Sequence, residues 1–186
     1  MNPERAERAN GNDKMRPSCF AVLDLEPRFA LAPERLEQAY RALAARVHPD
    51  RYATGTSSEQ RQALSLAADA NEAYRTLRKP APRARHLLSL RGVEVSEQSN
   101  AVTAAFLLEQ MEWREALADA RAAGDADALS NLHSSVRARA AMLHARLEAL
   151  LDVDQDNLSA ARSVQELMFI EKLNADIDEA QALLEA

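Results

Sequence analysis

The chain has 186 residues, enough for one ordinary domain or two small ones. It is 47% hydrophobic and 28% charged, a composition typical of a folded protein and outside the range of disordered chains. No run of apolar residues is long enough to span a membrane, and the single cysteine, Cys19, excludes an internal disulfide, so we expect a cytoplasmic protein.

The balance of residue types favours an all-α fold, and charge is distributed unevenly along it. The chain has four glycines and is rich in Ala, Leu, Arg and Glu, which are strong helix formers. Residues 16–91 contain 13 Lys and Arg against 8 Asp and Glu, whereas residues 92–186 contain 7 against 18. A basic half followed by an acidic half suggests two modules with different partners, although two helical domains that differ by drift remain the alternative.

Residues 1–15 are polar and are predicted to form a disordered tail. Order is expected from about Pro17, where Ser18 can cap a short helix that runs to Leu25. A second helix is predicted to open at residues 31–34 and to stop at His48, because the residue before a proline avoids the α region. Together with the next two helices these elements form a predicted domain at 16–91.

The third helix is predicted to be capped by Ser57 or Ser58 and to end near Arg78. Its expected buried positions are Leu64, Ala67, Ala70 or Asn71, Tyr74 and Leu77. The prolines at positions 80 and 82 are predicted to break this helix, and a short helix follows from Arg83 to about Leu90.

A polar segment at 92–99 is the predicted linker, and 100–186 are predicted to form an antiparallel three-helix bundle. The three helices are expected at about 101–122, 126–151 and 158–184. The middle helix carries apolar residues at steps of three and four, the pattern of a buried face. These are Leu129, Leu132, Val136, Ala140, Leu143, Leu147 and Leu150.

The turn between the second and third helices carries the most informative motif, His48-Pro49-Asp50. Proline makes such a turn rigid, and an aspartate there offers a charge-assisted hydrogen-bond acceptor. The helix before the motif is basic, with Arg41 and Arg46, and Arg51 follows directly. Basic residues beside an acceptor would steer the turn toward an acidic surface. The plain alternative is a helix stop without function.

In this context the residues resemble the J domain of the DnaJ superfamily, a helical hairpin with the same tripeptide in its loop. The resemblance implies that this half binds a DnaK-type ATPase chaperone and that the ATP chemistry belongs to that partner. It implies a chaperone-binding site, and no catalytic site, made of His48, Pro49, Asp50, Arg41, Arg46 and Arg51.

A second apolar stripe lies on the first bundle helix, away from its core face. On a helical wheel Val102, Phe106, Trp113 and Leu117 share one side, which is expected to be the core. The opposite side carries Leu107, Leu108, Met111, Glu112 and Glu115. Large apolar residues beside carboxylates indicate either a docking surface or a seam against the first domain. On the last helix, Phe169 lies about 100° from the centre of the core face and could flank the stripe.

The full order of elements resembles the HscB family. The stretches that agree are 87–92 (Leu-Leu-Ser-Leu-Arg-Gly), 105–112 (Ala-Phe-Leu-Leu-Glu-Gln-Met-Glu) and 169–173 (Phe-Ile-Glu-Lys-Leu). The resemblance implies an HscA-type chaperone partner and an iron–sulfur scaffold partner of IscU type. At matching positions it implies a scaffold-binding site formed by Leu107, Leu108, Met111, Glu112, Glu115 and Phe169.

Other chemistries have little support in the sequence. The four histidines lack metal-ligand spacing, no glycine-rich phosphate loop is present, and the basic half has few aromatic residues for nucleic-acid binding. We therefore expect no enzyme activity, metal, cofactor, nucleic acid or membrane, and a monomer or weak self-association. Two alternatives stay open: a general J protein whose bundle binds unfolded clients, and a bundle that serves only oligomerisation.

Overall fold

The computed structural model describes residues 17–52, 55–95 and 103–185, except for the side chain of Pro49, and every regular element within them is helical. The α-helices are α1 (Cys19–Val22), α2 (Pro33–Val47), α3 (Ser57–Arg78), α4 (Pro80–Leu90), α5 (Ala104–Ala123), α6 (Ala126–Glu148) and α7 (Asn157–Leu184). A 3-10 helix at Pro49–Tyr52 follows α2, and a π-helical turn at Ala149–Val153 follows α6. The predicted all-α fold class is confirmed.

The described residues divide into two packed units. The first contains Leu31–Arg78 and the described residues up to Pro27, and the second contains Arg28–Ala30 and the described residues from Lys79 onward. The packing thus places α4 in the second unit, so the boundary between units follows Arg78, whereas the sequence had placed α4 in a first domain ending at Arg91. The extent of the functional domains stays a prediction.

The first unit is built around the α2–α3 hairpin and the short helix α1. Ser18 caps α1 as predicted, with its hydroxyl accepting from the amide of Ala21 at 3.1 Å. The helix ends at Val22 and not at Leu25, because Asp24 adopts a left-handed φ of 53°. The buried side chains of this unit are Phe20, Leu23, Leu25, Leu36, Val47, Ala63, Ala70, Ala73 and Leu77.

The prediction for the buried face of α3 was partly wrong. Leu64 was expected in the core but is 57% exposed, and the neighbouring Ala63 is buried in its place. Three of the four buried positions on this helix are alanines, which allow α2 and α1 to approach closely. Side-chain hydrogen bonds also join the two helices of the hairpin. The Tyr74 hydroxyl donates to Glu37 at 2.6 Å, and the Tyr40 hydroxyl donates to Asn71 at 2.7 Å.

The starts of α3 and α4 differ from the sequence prediction, each for a physical reason. Helix α3 is capped by Thr56, and not by Ser57 or Ser58: its hydroxyl accepts from the Glu59 amide at 3.3 Å while the Glu59 carboxylate accepts from the Thr56 amide at 2.7 Å. Helix α4 begins at Pro80, ahead of the predicted start at Arg83. Proline is tolerated in a first turn, where the amide has no intrahelical partner to lose.

The second unit contains the predicted antiparallel three-helix bundle with α4 packed on α7. Side chains cap all three bundle helices: Thr103 for α5, Asp125 for α6 and Asp156 for α7. Gly124 ends α5 in the left-handed conformation, with a φ of 62°, that glycine adopts without strain. The repeat on α6 is buried at five of its predicted positions, namely Leu129, Leu132, Val136, Leu143 and Leu147.

The end of α6 departs from a regular helix. Residues Ala149–Val153 form a π-helical turn, in which Leu151 is fully buried in place of the predicted Leu150. The wider turn shifts the side-chain register by one position. Arg91 stabilises the turn by donating from Nη2 to the Leu151 carbonyl at 2.9 Å.

Candidate functional sites

The first candidate site is the turn that contains His48, Pro49 and Asp50. Helix α2 stops at Val47 because Pro49 lacks an amide proton and forces His48 into an extended conformation, with a ψ of 130°. The chain then enters the 3-10 helix, in which the Arg51 amide donates to the His48 carbonyl at 3.0 Å. The motif is therefore a defined turn between two helices, as the sequence predicts.

Two side chains that follow the motif bind back to the end of α2. The Arg51 guanidinium donates to the Ala45 carbonyl and the Tyr52 hydroxyl donates to the Arg46 carbonyl, both at 3.4 Å. The last carbonyls of a helix have no partner within the helix, so these long bonds satisfy two of them. They also tie the turn to the end of α2.

The functional groups of this turn face solvent. The side chain of Asp50 is 90% exposed and that of His48 is 59% exposed. His48 Nδ1 lies 3.3 Å from the Asp50 amide nitrogen and 3.5 Å from Asp50 Oδ2. A neutral ring can accept the amide proton at Nδ1, whereas a protonated ring donates to the carboxylate. In either state the carboxylate keeps free lone pairs for a cationic partner.

The predicted arginines are all exposed along α2 and the turn, and Arg41 forms an ion pair. Arg41 Nε lies 3.3 Å from Glu37 Oε1, and the Arg41 side chain is 72% exposed. Arg46 and Arg51 present their charges on the surface beside the turn. The structure thus places the residues of the predicted chaperone-binding site on one helix and the turn that follows it.

The second candidate site is the stripe predicted on α5. Leu107, Leu108 and Met111 are 48%, 62% and 67% exposed, and Glu112 and Glu115 are exposed beside them. We call these five residues the α5 stripe. The opposite face carries the buried Phe106 and Leu117. Val102, which was assigned to that face, lies outside the described residues.

Phe169 on α7 is half-buried in an aromatic cluster. Its ring meets Phe106 edge-on at 5.8 Å and stacks with Trp113 at 6.4 Å between centroids. The Arg114 guanidinium lies over the same ring, 5.2 Å from its centroid. Phe169 is therefore partly buried against α5, and its place beside the stripe in a binding site stays a prediction.

A charged triad that the sequence did not predict joins α5 to the other two bundle helices. Arg139 on α6 lies 3.3 Å from Glu109 of α5 and 3.0 Å from Glu166 of α7. Glu166 is one of two buried polar residues within the described chain. Glu166 precedes Ile170 by four residues, so it lies on the same core face of α7. A carboxylate at a core position needs a cation, and this position alone could have indicated the triad.

The structure contains no candidate metal centre within the described residues. No group of three or more His, Cys, Asp or Glu side chains in that part of the chain could hold a metal ion. Cys19 is half-buried, and burial raises the pKa of its thiol, so the thiolate is disfavoured. No described helix is both long and apolar enough to cross a bilayer.

Comparisons with known proteins agree on one family. Residues 102–178 match the family model described as the HSCB C-terminal oligomerisation domain. The chain is 47% identical over 165 residues to the "Co-chaperone protein HscB homolog" of Bordetella pertussis, covering 88% of this chain and 96% of that protein. The homologue from Aromatoleum aromaticum is 44% identical over 167 residues, covering 89% and 94%.

Solved structures of the same family have the same fold. Chaperone HscB from Vibrio cholerae superposes with a TM-score of 0.81 at 34% identity, covering 90% of this chain and 99% of that one. Human co-chaperone HscB has a TM-score of 0.82 at 23% identity, covering 89% and 82%, and this second likeness concerns the fold alone. The chain therefore belongs to the HscB family of co-chaperones, all-α proteins with an N-terminal J domain and a C-terminal helical bundle.

Proposed function

We propose that this protein stimulates the ATPase of an HscA-type chaperone and delivers an IscU-type scaffold to it, assisting iron–sulfur protein maturation in the cytoplasm. The observation that carries this proposal is the presence of two unlike exposed surfaces in one chain. One is the basic turn around His48 and Asp50, and the other is the acidic and apolar α5 stripe. Membership of a family named as co-chaperones supports a binding role without catalysis.

The turn is suited to engage an ATPase partner. The exposed carboxylate of Asp50 can accept from an arginine on the chaperone, a bond about twice as strong as one between neutral groups. Arg46 and Arg51 raise the rate of encounter with an acidic surface. Because the turn is restrained by the bonds of Arg51 and Tyr52, little conformational entropy is lost on binding.

The α5 stripe is suited to bind a folded partner. Leu108 and Met111 are both more than 60% exposed, so a partner that covers them removes a large apolar area from water. Glu112 and Glu115 border this area and favour a partner surface that carries Lys or Arg. The Arg139 triad and the aromatic cluster hold α5 rigidly, which limits the entropy cost of docking.

Both surfaces belong to one chain, and this connection is the basis of the delivery step. A scaffold bound to the stripe is held near any chaperone bound to the turn, so the second encounter is effectively intramolecular. The local concentration of scaffold at the chaperone then exceeds its concentration in solution.

A second candidate function is self-association through the bundle, because the matching family model is named as an oligomerisation domain. In that case a second copy of the chain would cover the α5 stripe. Met111→Glu would then convert a dimer to a monomer, measured by light scattering. Under the leading proposal the wild-type protein is a monomer or self-associates weakly.

The test is steady-state ATP hydrolysis by an HscA-type chaperone, with and without the scaffold, in the presence of this protein. Wild-type protein is expected to stimulate hydrolysis, more strongly when the scaffold is present. His48→Gln is expected to abolish the stimulation. The matched control is His133→Gln, which changes the same side chain on α6, where it lies 3.4 Å from Asp178.

The possible results separate the hypotheses. Stimulation by the control but not by His48→Gln supports the turn as the chaperone-binding site. Stimulation that extends equally to unfolded apolar peptides in place of the scaffold supports a general J protein. No stimulation by folded wild-type protein contradicts the co-chaperone role proposed here.

A further inference from the structure

A groove between α5 and α7 continues from the α5 stripe and has the opposite charge. It encloses about 320 Å³, and its lining includes Arg114, Arg121, Phe169, Lys172, Leu173 and Asp176. We call it the α5–α7 groove. It lies entirely within the second unit.

Cations are concentrated at this groove although its half of the chain is strongly acidic. Residues 92–186 contain only 7 Lys and Arg against 18 Asp and Glu, and three of those seven cations line the groove. One acidic residue, Asp176, belongs to the lining, and Glu179 lies 4.0 Å from Arg121, so the cations outnumber the carboxylates. The local field is therefore positive, in contrast to the acidic surface beside Glu112 and Glu115.

The three cations differ in their availability to a ligand. Arg121 is held by α7, since it donates to the Asp176 carbonyl and lies 4.0 Å from Glu179. Arg114 rests on the Phe169 ring, and Lys172 is exposed. Within the described part of the chain neither Arg114 nor Lys172 forms an ion pair with a carboxylate.

The floor of the groove is apolar. Leu117 and Leu173 are 7% and 3% exposed, and the Phe169 ring forms part of the wall. Charges beside such a wall are less screened by water, so a carboxylate between Arg114 and Lys172 is held more strongly than one on an open surface.

The groove and the stripe are neighbours on the same helix. Arg114 follows Leu107 by two turns, and Met111 precedes Arg114 by three residues, so all three lie along one side of α5. Phe169 closes the groove at the end nearest the aromatic cluster. A protein large enough to cover the stripe therefore also covers the mouth of the groove.

We propose that the α5–α7 groove receives an acidic side chain of the protein that binds the α5 stripe, with its carboxylate between Arg114 and Lys172. This inference rests on the proposed function and deepens it. The bound surface must then carry a basic patch opposite Glu112 and Glu115, and a carboxylate at nearly the same level of α5 but about 100° around the helix from Glu115, where Arg114 lies. Opposite charges at two separated points fix the orientation of the partner, because a reversed docking places like charges together.

The test is the affinity and association rate of the full-length protein for an IscU-type scaffold, by titration calorimetry and stopped flow. Lys172→Glu is expected to weaken binding about fivefold or more, with both a lower association rate and a higher dissociation rate, because it places a like charge beside the bound carboxylate. Lys172→Arg keeps the charge and is expected to bind like the wild type. Arg137→Glu reverses an exposed charge on α6 and serves as the matched control.

The result that overturns this inference is distinct from the one that overturns the function. If Leu108→Asp abolishes binding while Lys172→Glu binds like the wild type at low and high salt, the stripe binds the scaffold and the groove takes no carboxylate. Tighter binding by Lys172→Glu is equally contrary to the inference. If folded wild-type protein does not bind the scaffold at all, the proposed function itself is wrong. Circular dichroism of each variant shows that it is folded.

Discussion

Arg139 neutralises the buried carboxylate of Glu166 inside the bundle. Its guanidinium lies 3.0 Å from Glu166, whose side chain is only 7% exposed. Arg139→Met keeps the apolar stem but leaves that carboxylate buried without its cation. We expect the free energy of unfolding to fall by about 3–5 kcal/mol, measured by urea denaturation.

A double-mutant cycle separates the lost pair from lost packing. Arg139→Met combined with Glu166→Met replaces the ion pair by apolar groups and is expected to recover most of the stability. If Arg139→Met alone costs less than about 1 kcal/mol, which is the value of an exposed pair, then the pair is solvated and does not fix α5.

His144 makes the stability of the bundle depend on pH. Burial lowers the pKa of its imidazole below the ordinary 6.5, and the nearby Arg83 lowers it further. As the pH falls below about 6.5, the unfolded chain takes up a proton that native His144 does not. The stability contribution of the neutral ring is therefore present above this pH and is lost as the pH falls through the native pKa.

His144→Gln removes this titration and is expected to flatten the loss of stability between about pH 7 and pH 5. The measurement is the urea midpoint at several pH values, compared with the wild type. An equal slope in both proteins would show that His144 titrates alike in the native and unfolded states.

The turn between α6 and α7 fixes a short segment of chain far away in the sequence. The two carboxylate oxygens of Asp152 accept from the amides of Phe29 and Ala30, each at 2.7 Å. Hydrogen bonds to a charged group contribute about 1.5–3 kcal/mol each when they are shielded, and the Asp152 side chain is 10% exposed. These two bonds explain why Arg28–Ala30 belongs to the second unit.

Asp152→Ala is expected to increase the hydrogen-exchange rate of the Phe29 and Ala30 amides by at least about tenfold, since it removes both acceptors. Asp154→Ala changes an exposed carboxylate in the same turn and is expected to leave these rates unchanged. Unchanged protection of both amides in Asp152→Ala would show that the segment is held by the burial of Phe29 instead.

Helices were predictable where a local pattern decides the outcome, whereas some of their ends were not. The repeat on α6 predicted its buried face because each of those leucines and valines turns toward one side at helical spacing. The start of α4 was missed because proline both ends one helix and suits the first turn of the next. The cap of α3 was missed by one residue, although Thr56 and Glu59 form the three-residue spacing of a capping box.

The candidate sites show the same contrast between features set by a local pattern and features set by contacts between helices. The exposed position of the α5 stripe was predictable because it needs only the angle between residues on one helix. The α5–α7 groove was not, because Arg114 and Lys172 lie on different helices and the sequence contains no distance between them. The Arg139 triad was missed for the same reason, since it joins three helices.

At the scale of the whole molecule, the boundary between units is where sequence and packing disagree. Gly92 and the polar residues after it indicated a boundary at Arg91. Helix α4 nevertheless buries Leu87 and Leu88 within the second unit, and the Ala81 amide donates to Glu171 of α7 at 3.1 Å. A sequence signal for a loop shows where regular structure stops, but it does not show against which unit the preceding helix packs.

This difference leads to a prediction about cooperative unfolding. Leu143→Ala removes a fully buried side chain from α6 and is expected to destabilise the second unit by about 2–5 kcal/mol. If α4 unfolds with that unit, amides around Leu88 lose protection by about thirtyfold or more, whereas amides around Ala70 in α3 keep theirs. Hydrogen exchange measured by mass spectrometry distinguishes the two helices. If the amides of α4 instead keep their protection, as those of α3 do, the boundary lies at Arg91. The amides of a helix lose protection together with the unit in whose core that helix packs.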